Sequence, residues 1–140
     1  MNDEFLLDTG VLNAYLRGRG GAVARVEPWV VRGQASTSTL VYGEIVEFLQ
    51  GLDDYIRREA ELRDVPRTIY PHRLTYRILQ RYAALRRAMR PPHGPGIVGD
   101  VDTLIAATSI ESDCTLVTTD SDFARVPGLR VIHLDRSALR

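Results

Sequence analysis

With 140 residues, 44% of them apolar and 26% charged, the chain has the composition of an ordinary globular protein, and one α/β domain over residues 1–140 is expected. No apolar run approaches the roughly 20 residues that span a bilayer, and the start MNDEFLL carries acids where a secretory signal carries bases. Its single cysteine, Cys114, excludes an internal disulfide, so a cytoplasmic protein without membrane contact is expected.

The formal net charge is zero, which argues against indiscriminate coating of nucleic acid, but charge is unevenly spread. All 18 basic residues are arginine, and ten of them fall between positions 57 and 90 beside only Glu59, Glu61 and Asp64. That stretch carries about +7 and leaves the flanking thirds acidic.

In chain order, the apolar run Glu4–Leu7 predicts a first strand, followed by a short helix over Val11–Arg17 and, after a Gly-Gly break, a helix over Ala22–Val31. Gln34–Ser36 reads as a strand. The Ser/Thr cluster after it suits the cap of a helix over Thr39–Gln50, which ends at Gly51. A charged helix over Asp54–Arg63 precedes a strand over Thr68–Tyr70. Arg73–Met89 carries Leu74, Ile78, Tyr82, Leu85 and Met89 at helical spacing, a buried stripe. The Pro- and Gly-rich stretch 91–99 is a loop, Thr103–Ser112 an apolar helix, and Thr115–Thr118 and Arg130–His133 the last strands. Strands alternating with helices predict a mainly parallel sheet covered on both faces.

On this framework, Asp8 and Asp120 follow buried strands and Asp102 stands at a helix start, positions that meet at the carboxyl edge of a parallel sheet, where ligands collect. Each position also suits an acid serving only as a cap or turn residue. Glu44 is harder to explain that way. Val41, Ile45, Phe48 and Leu52 form an apolar stripe on its helix, and Leu40, Val41 and Phe48 surround Glu44, whereas Glu47 looks solvated. A carboxylate on an apolar face needs a partner, and no basic residue lies one turn away. Four such acids form an oxygen-only set suited to Mg²⁺ or Mn²⁺ rather than zinc. His72, His93 and His133 show no ligand spacing with one another or with Cys114. A carboxylate-held Mg²⁺ serves phosphate chemistry, which points to phosphodiester hydrolysis with arginines on the nucleic-acid backbone.

The stretches LLDTGVL, STLVYGEIVE, GDVDTLIAATSI and LVTTDSDF, followed by PGLRVIHL, resemble in that order the successive motifs of PIN-domain ribonucleases, most closely the VapC toxins of bacterial toxin–antitoxin pairs. The resemblance covers nearly the whole chain. It implies a three-layer α/β/α sandwich with a mainly parallel central sheet, an acidic pocket for Mg²⁺ or Mn²⁺, endoribonuclease activity on RNA, a homodimer, and a VapB-like antitoxin that blocks the pocket. Position by position, it implies that Asp8, Glu44, Asp102 and Asp120 are the metal-binding and catalytic acids, with Thr118 the hydroxyl beside them and Thr9 a polar follower of the first acid. Gly10 departs from the Asn or Ser common in the family. Asp100 and Asp122 are further ligand candidates, and Arg73, Arg77 and Arg81 are candidates for RNA or antitoxin contact, or else a solvated helix face.

Three other readings compete. Asp-Thr-Gly at Asp8 is the loop of aspartic proteases, but those require two such aspartates on an all-β fold. DVDTL at Asp100 mimics aspartate-based phosphatases, whose nucleophile ends a buried strand, whereas here a loop precedes it. A non-catalytic PIN-like protein that binds RNA or a partner through its arginines is the alternative from another class. Trp29 is expected in the core or at a dimer contact, Tyr70, Tyr76 and Tyr82 in packing, and Cys114 as a small buried hydrophobe.

Overall fold

The computed structural model describes residues 3–140. Five strands, β1 (Phe5–Leu7), β2 (Ala35–Ser38), β3 (Tyr70–His72), β4 (Thr115–Thr118) and β5 (Val131–His133), form one sheet in the order β3-β2-β1-β4-β5. All four pairings are parallel, with Leu6 opposite both Ser36 and Leu116. Six helices connect and cover the sheet: α1 (Thr9–Leu16), α2 (Gly20–Val31), α3 (Thr39–Gln50), α4 (Tyr55–Arg63), α5 (Tyr76–Met89) and α6 (Asp100–Glu111). This is the expected α/β sandwich. No described helix is long and apolar enough to cross a membrane.

The central strands read as apolar runs because they are buried on both faces: Leu6, Leu7, Leu116 and Val117 have no exposed surface. Val11, Ile45, Leu62, Met89 and Ile105 pack on them from the helices. The sequence places β4 at its observed bounds, but β2 runs through Ser38 and β3 starts two residues later than expected. In β2 the polar residues Ser36, Thr37 and Ser38 are buried because side-chain hydroxyls bond within the fold. Ser36 donates to the Phe5 carbonyl at 3.3 Å and Thr37 to the Leu7 carbonyl at 2.9 Å. Ser38 then caps α3, accepting from the Leu40 amide at 3.1 Å.

Two expected stripes are displaced. On α3 the buried positions are Val41, Ile45 and Leu49, while Phe48 is 44% exposed. Helix α5 begins at Tyr76, because Thr75 caps it by accepting from the Ile78 amide at 3.2 Å. Leu74 therefore precedes the helix and is exposed, whereas Ile78, Leu85 and Met89 are buried and Tyr82 is half-buried. Trp29 stacks on Phe5 at 4.2 Å against the core. Tyr76 does not pack as expected, being 87% exposed, and Tyr70, though it meets His72 edge-on, is 64% exposed.

Candidate active site

The strand order reverses between β1 and β4, which makes the carboxyl end of that pair the topological switch point of the sheet. Asp8 leaves β1 there, with its amide donating to the Val117 carbonyl at 3.0 Å. Its backbone is extended as the N-cap of α1, but its carboxylate makes no capping bond. The side chain instead turns to β4 and accepts a hydrogen bond from the Thr118 hydroxyl at 2.6 Å. The same hydroxyl accepts from the Asp120 amide at 3.0 Å. Thr118, wholly buried, thus ties the first and last acids together across adjacent strands.

Glu44 reaches this edge from α3. It is half-buried and accepts from the hydroxyl of Thr9, the residue after Asp8, at 2.7 Å. Asp102 lies in the first turn of α6, whose N-cap is Gly99. Asp120 caps the single turn Ser121–Arg125, accepting from the Asp122 amide at 2.8 Å.

Electrostatics show that these acids share one region. Burial raises the pKa of Asp8; the Thr118 hydroxyl and the Thr9 amide oppose the shift, and Glu44 and Asp120 reinforce it. Asp102 is pushed up to about 6, first by burial and then by the negative charges of Asp8, Asp120, Glu44 and Asp122. No arginine or histidine forms an ion pair with Asp8, Glu44, Asp102 or Asp120 among the described residues. Clustered, partly buried carboxylates without a protein counter-charge fit a divalent cation held through oxygen. Their oxygens are not drawn tightly together. Among the described residues, the one trio of His, Cys, Asp or Glu ligand atoms within 4.8 Å of one another lies elsewhere, at Glu4, His72 and Cys114. A looser carboxylate set suits Mg²⁺, which keeps several of its waters.

The extra acids differ from these four. Asp100 is exposed, pairs with Arg86 and accepts from the Tyr82 hydroxyl at 3.4 Å, so it is tied to α5. Asp122 lies 3.6 Å from Arg125 on the exposed side of its turn. Arg77 and Arg81 both pair with Glu111 of α6, at 3.6 and 2.8 Å, which gives them a part in the α5–α6 contact. Exposed Arg73 lines, with Arg77, a groove beside β3, two strands from β1 and Asp8.

A second set of arginines escaped the sequence reading. Beside the acids, a hollow of about 470 Å³ is lined by Gly10, Asn13, Thr119, Arg17, Arg19, Arg136 and Arg140 among others. Thr119 adjoins Asp120 and Gly10 stands two residues after Asp8, and a Cβ at Gly10 would lie only 3.1 Å from the Thr119 hydroxyl. The glycine that departs from the family pattern therefore sits where Thr119 fills the space. None of the four arginines forms an ion pair among the described residues. They come from chain segments more than a hundred residues apart, joined by the amide of Gly21 donating to the Arg140 carbonyl at 2.7 Å. Local charge density does not reveal such a set.

Comparison with known proteins agrees with the fold. No curated protein matches the sequence. Among solved structures, the chain is similar to VapBC2 from Rickettsia felis bound to a DNA fragment from its promoter, with a TM-score of 0.81, 19% identity and coverage of 94% of this chain and 98% of that one. DNA-bound VapBC from Salmonella typhimurium gives a TM-score of 0.81 at 16% identity, with the same coverage. A toxin–antitoxin complex from Klebsiella pneumoniae gives 0.71 at 25% identity, covering 92% and 96%. The sequence matches the PIN domain family over residues 5–129, a span that holds Asp8, Glu44, Asp102, Thr118 and Asp120, and the chain belongs to that family.

Proposed function

We propose that the chain is a metal-dependent endoribonuclease acting as the toxin of a VapBC-type pair. The observation that carries this reading is the set of four uncompensated carboxylates at the switch point, flanked by an arginine-lined hollow. Asp8, Glu44, Asp102 and Asp120 would hold Mg²⁺ or Mn²⁺. When bound, the ion supplies charge neutralisation at the phosphate and acidifies a water. Thr118 orients the Asp8 carboxylate and the Asp120 backbone together, and Thr9 orients Glu44. Arg17, Arg19, Arg136 and Arg140 bind the phosphates of the RNA strand, placing one phosphodiester over the acids.

The likeness to VapBC complexes supports a VapB-like antitoxin as partner, and a homodimer is the working form that the motif resemblance implies. Exposed apolar side chains such as Val31 (77%) and Ile56 (72%) are consistent with such docking. Coexpression tests the toxin reading. Expression of this chain alone should slow growth, and a small protein encoded beside it should relieve the effect and co-purify with it. Harmless expression of an enzyme active on RNA in vitro would instead assign it to RNA processing.

A further inference from the structure

We propose that Glu4, His72 and Cys114 form a second metal site, selective for a zinc-class divalent cation and separate from the carboxylate pocket. Their ligand atoms all lie within 4.8 Å of one another. The Cys114 Sγ is 3.6 Å from the Glu4 Oε2 and 3.8 Å from the His72 Nε2. Zinc bonds of about 2.3 Å to sulfur and 2.0–2.2 Å to nitrogen or oxygen, at tetrahedral angles, place sulfur about 3.6 Å from each other donor. The two edges at sulfur therefore match a zinc tetrahedron before any ion is added, and the Glu4–His72 edge is within 4.8 Å. Its donors, one thiol, one imidazole and one carboxylate, are those zinc prefers, and they differ from the oxygen-only set at Asp8.

The surroundings complete the site. The other ring nitrogen of His72, Nδ1, faces the Ser112 hydroxyl at 3.4 Å, which is the outer contact that fixes a metal-binding imidazole. The Tyr70 ring packs edge-on against His72 with centroids 4.8 Å apart, holding its plane. The Ser36 hydroxyl lies 3.7 Å from the sulfur. Burial lowers the His72 pKa, against the opposing charge of Glu4, which favours the neutral ring that can ligate. Burial also pushes the Cys114 thiol up to about 11, so without metal the sulfur keeps its proton. An incoming cation would take the place of that proton, which leaves to solvent as the Sγ–metal bond forms. His72 and Ser112 line a groove of about 540 Å³ that opens a path from solvent, with water in the fourth position.

Two of the three ligands stand at the amino ends of their strands, away from the carboxylate pocket. Glu4 precedes β1 and Cys114 precedes β4, each four residues before Asp8 and Thr118, or about 13 Å at ~3.3 Å per residue. His72 closes β3, so a bound ion would link three of the five strands.

Cobalt(II) is the probe. Metal-free full-length protein, titrated with Co²⁺, should develop a sulfur-to-cobalt charge-transfer band and tetrahedral visible bands at one equivalent, both bleached by Zn²⁺. Because Cys114 is the only cysteine, that band can arise nowhere else in the chain. It should vanish in Cys114→Ser and weaken at least tenfold in affinity in His72→Gln, yet persist in Asp8→Asn. Zn²⁺ should also raise the Tm of Asp8→Asn protein by several degrees, but not that of Asp8→Asn/His72→Gln protein. Folded wild-type protein that binds Co²⁺ with no charge-transfer band, or a band unchanged by His72→Gln, overturns the proposal.

Discussion

Thr118 has no exposed surface, yet its hydroxyl both donates to Asp8 and accepts from the Asp120 amide. Outer partners of metal ligands typically contribute ten- to a hundredfold in affinity. Thr118→Val, which keeps the shape, should weaken Mn²⁺ binding at least tenfold by calorimetric titration while leaving circular dichroism unchanged. Asp102 gives a pH test. Its folded pKa of about 6 exceeds the ordinary aspartate value of 3.8, so its penalty on the metal-free fold is full above pH 6 and is relieved as pH falls toward 4. Asp102→Asn should therefore stabilise the EDTA-treated protein at pH 7, by roughly 1 kcal/mol after allowance for solvent screening, with the gain fading by pH 4 in urea titrations. In the wild type, Mn²⁺ affinity should fall as pH drops below about 6, where a proton competes for this carboxylate. A pH-independent affinity between 5 and 8 would remove Asp102 from the ligand set.

At the scale of elements, the least obvious dependence is that of the arginine hollow on the start of α2. A Cβ on Gly21 would collide with the Ala138 carbonyl and lie 2.8 Å from that of Arg140, both in backbone that a side chain cannot push aside cheaply. Gly21→Ala should cost about 1–3 kcal/mol in urea unfolding. It should weaken RNA binding through displaced Arg136 and Arg140 while leaving Mn²⁺ affinity intact. The elements themselves were legible where one force dominated. Strand β4 and helix α3 fall at their expected bounds, because an apolar run and a capping serine leave little choice. Strand β2 was underread, since Thr37 and Ser38 look like loop residues until their buried hydroxyls find partners. Phe48 was misplaced because helical periodicity gives the spacing of a stripe, while tertiary packing decides which neighbouring row is covered, and Leu74 because the helix starts only at Tyr76.

Across the whole molecule, the α/β sandwich gathers acids from four chain segments at one edge and arginines from two distant segments beside them. The acids could be nominated from sequence because each stands next to a recognisable strand or helix. The arginines could not, since Arg17 and Arg19 meet Arg136 and Arg140 only after the C-terminal turn folds onto α2. The dense run between positions 57 and 90 is the visible feature instead, and much of it is spent on ion pairs, local ones such as Arg57–Asp54 and the α5–α6 pair Arg81–Glu111. The central claim is that the carboxylate set is a metal-dependent ribonuclease site. Cleavage of single-stranded RNA by the purified protein tests it most directly, with Mg²⁺ or Mn²⁺, with EDTA, and with the Asp8→Asn variant. The account predicts defined cleavage products with either metal, none in EDTA, and none from a folded Asp8→Asn protein. Undiminished cleavage in EDTA or by that variant, or RNA binding without cleavage in any divalent metal, would contradict it.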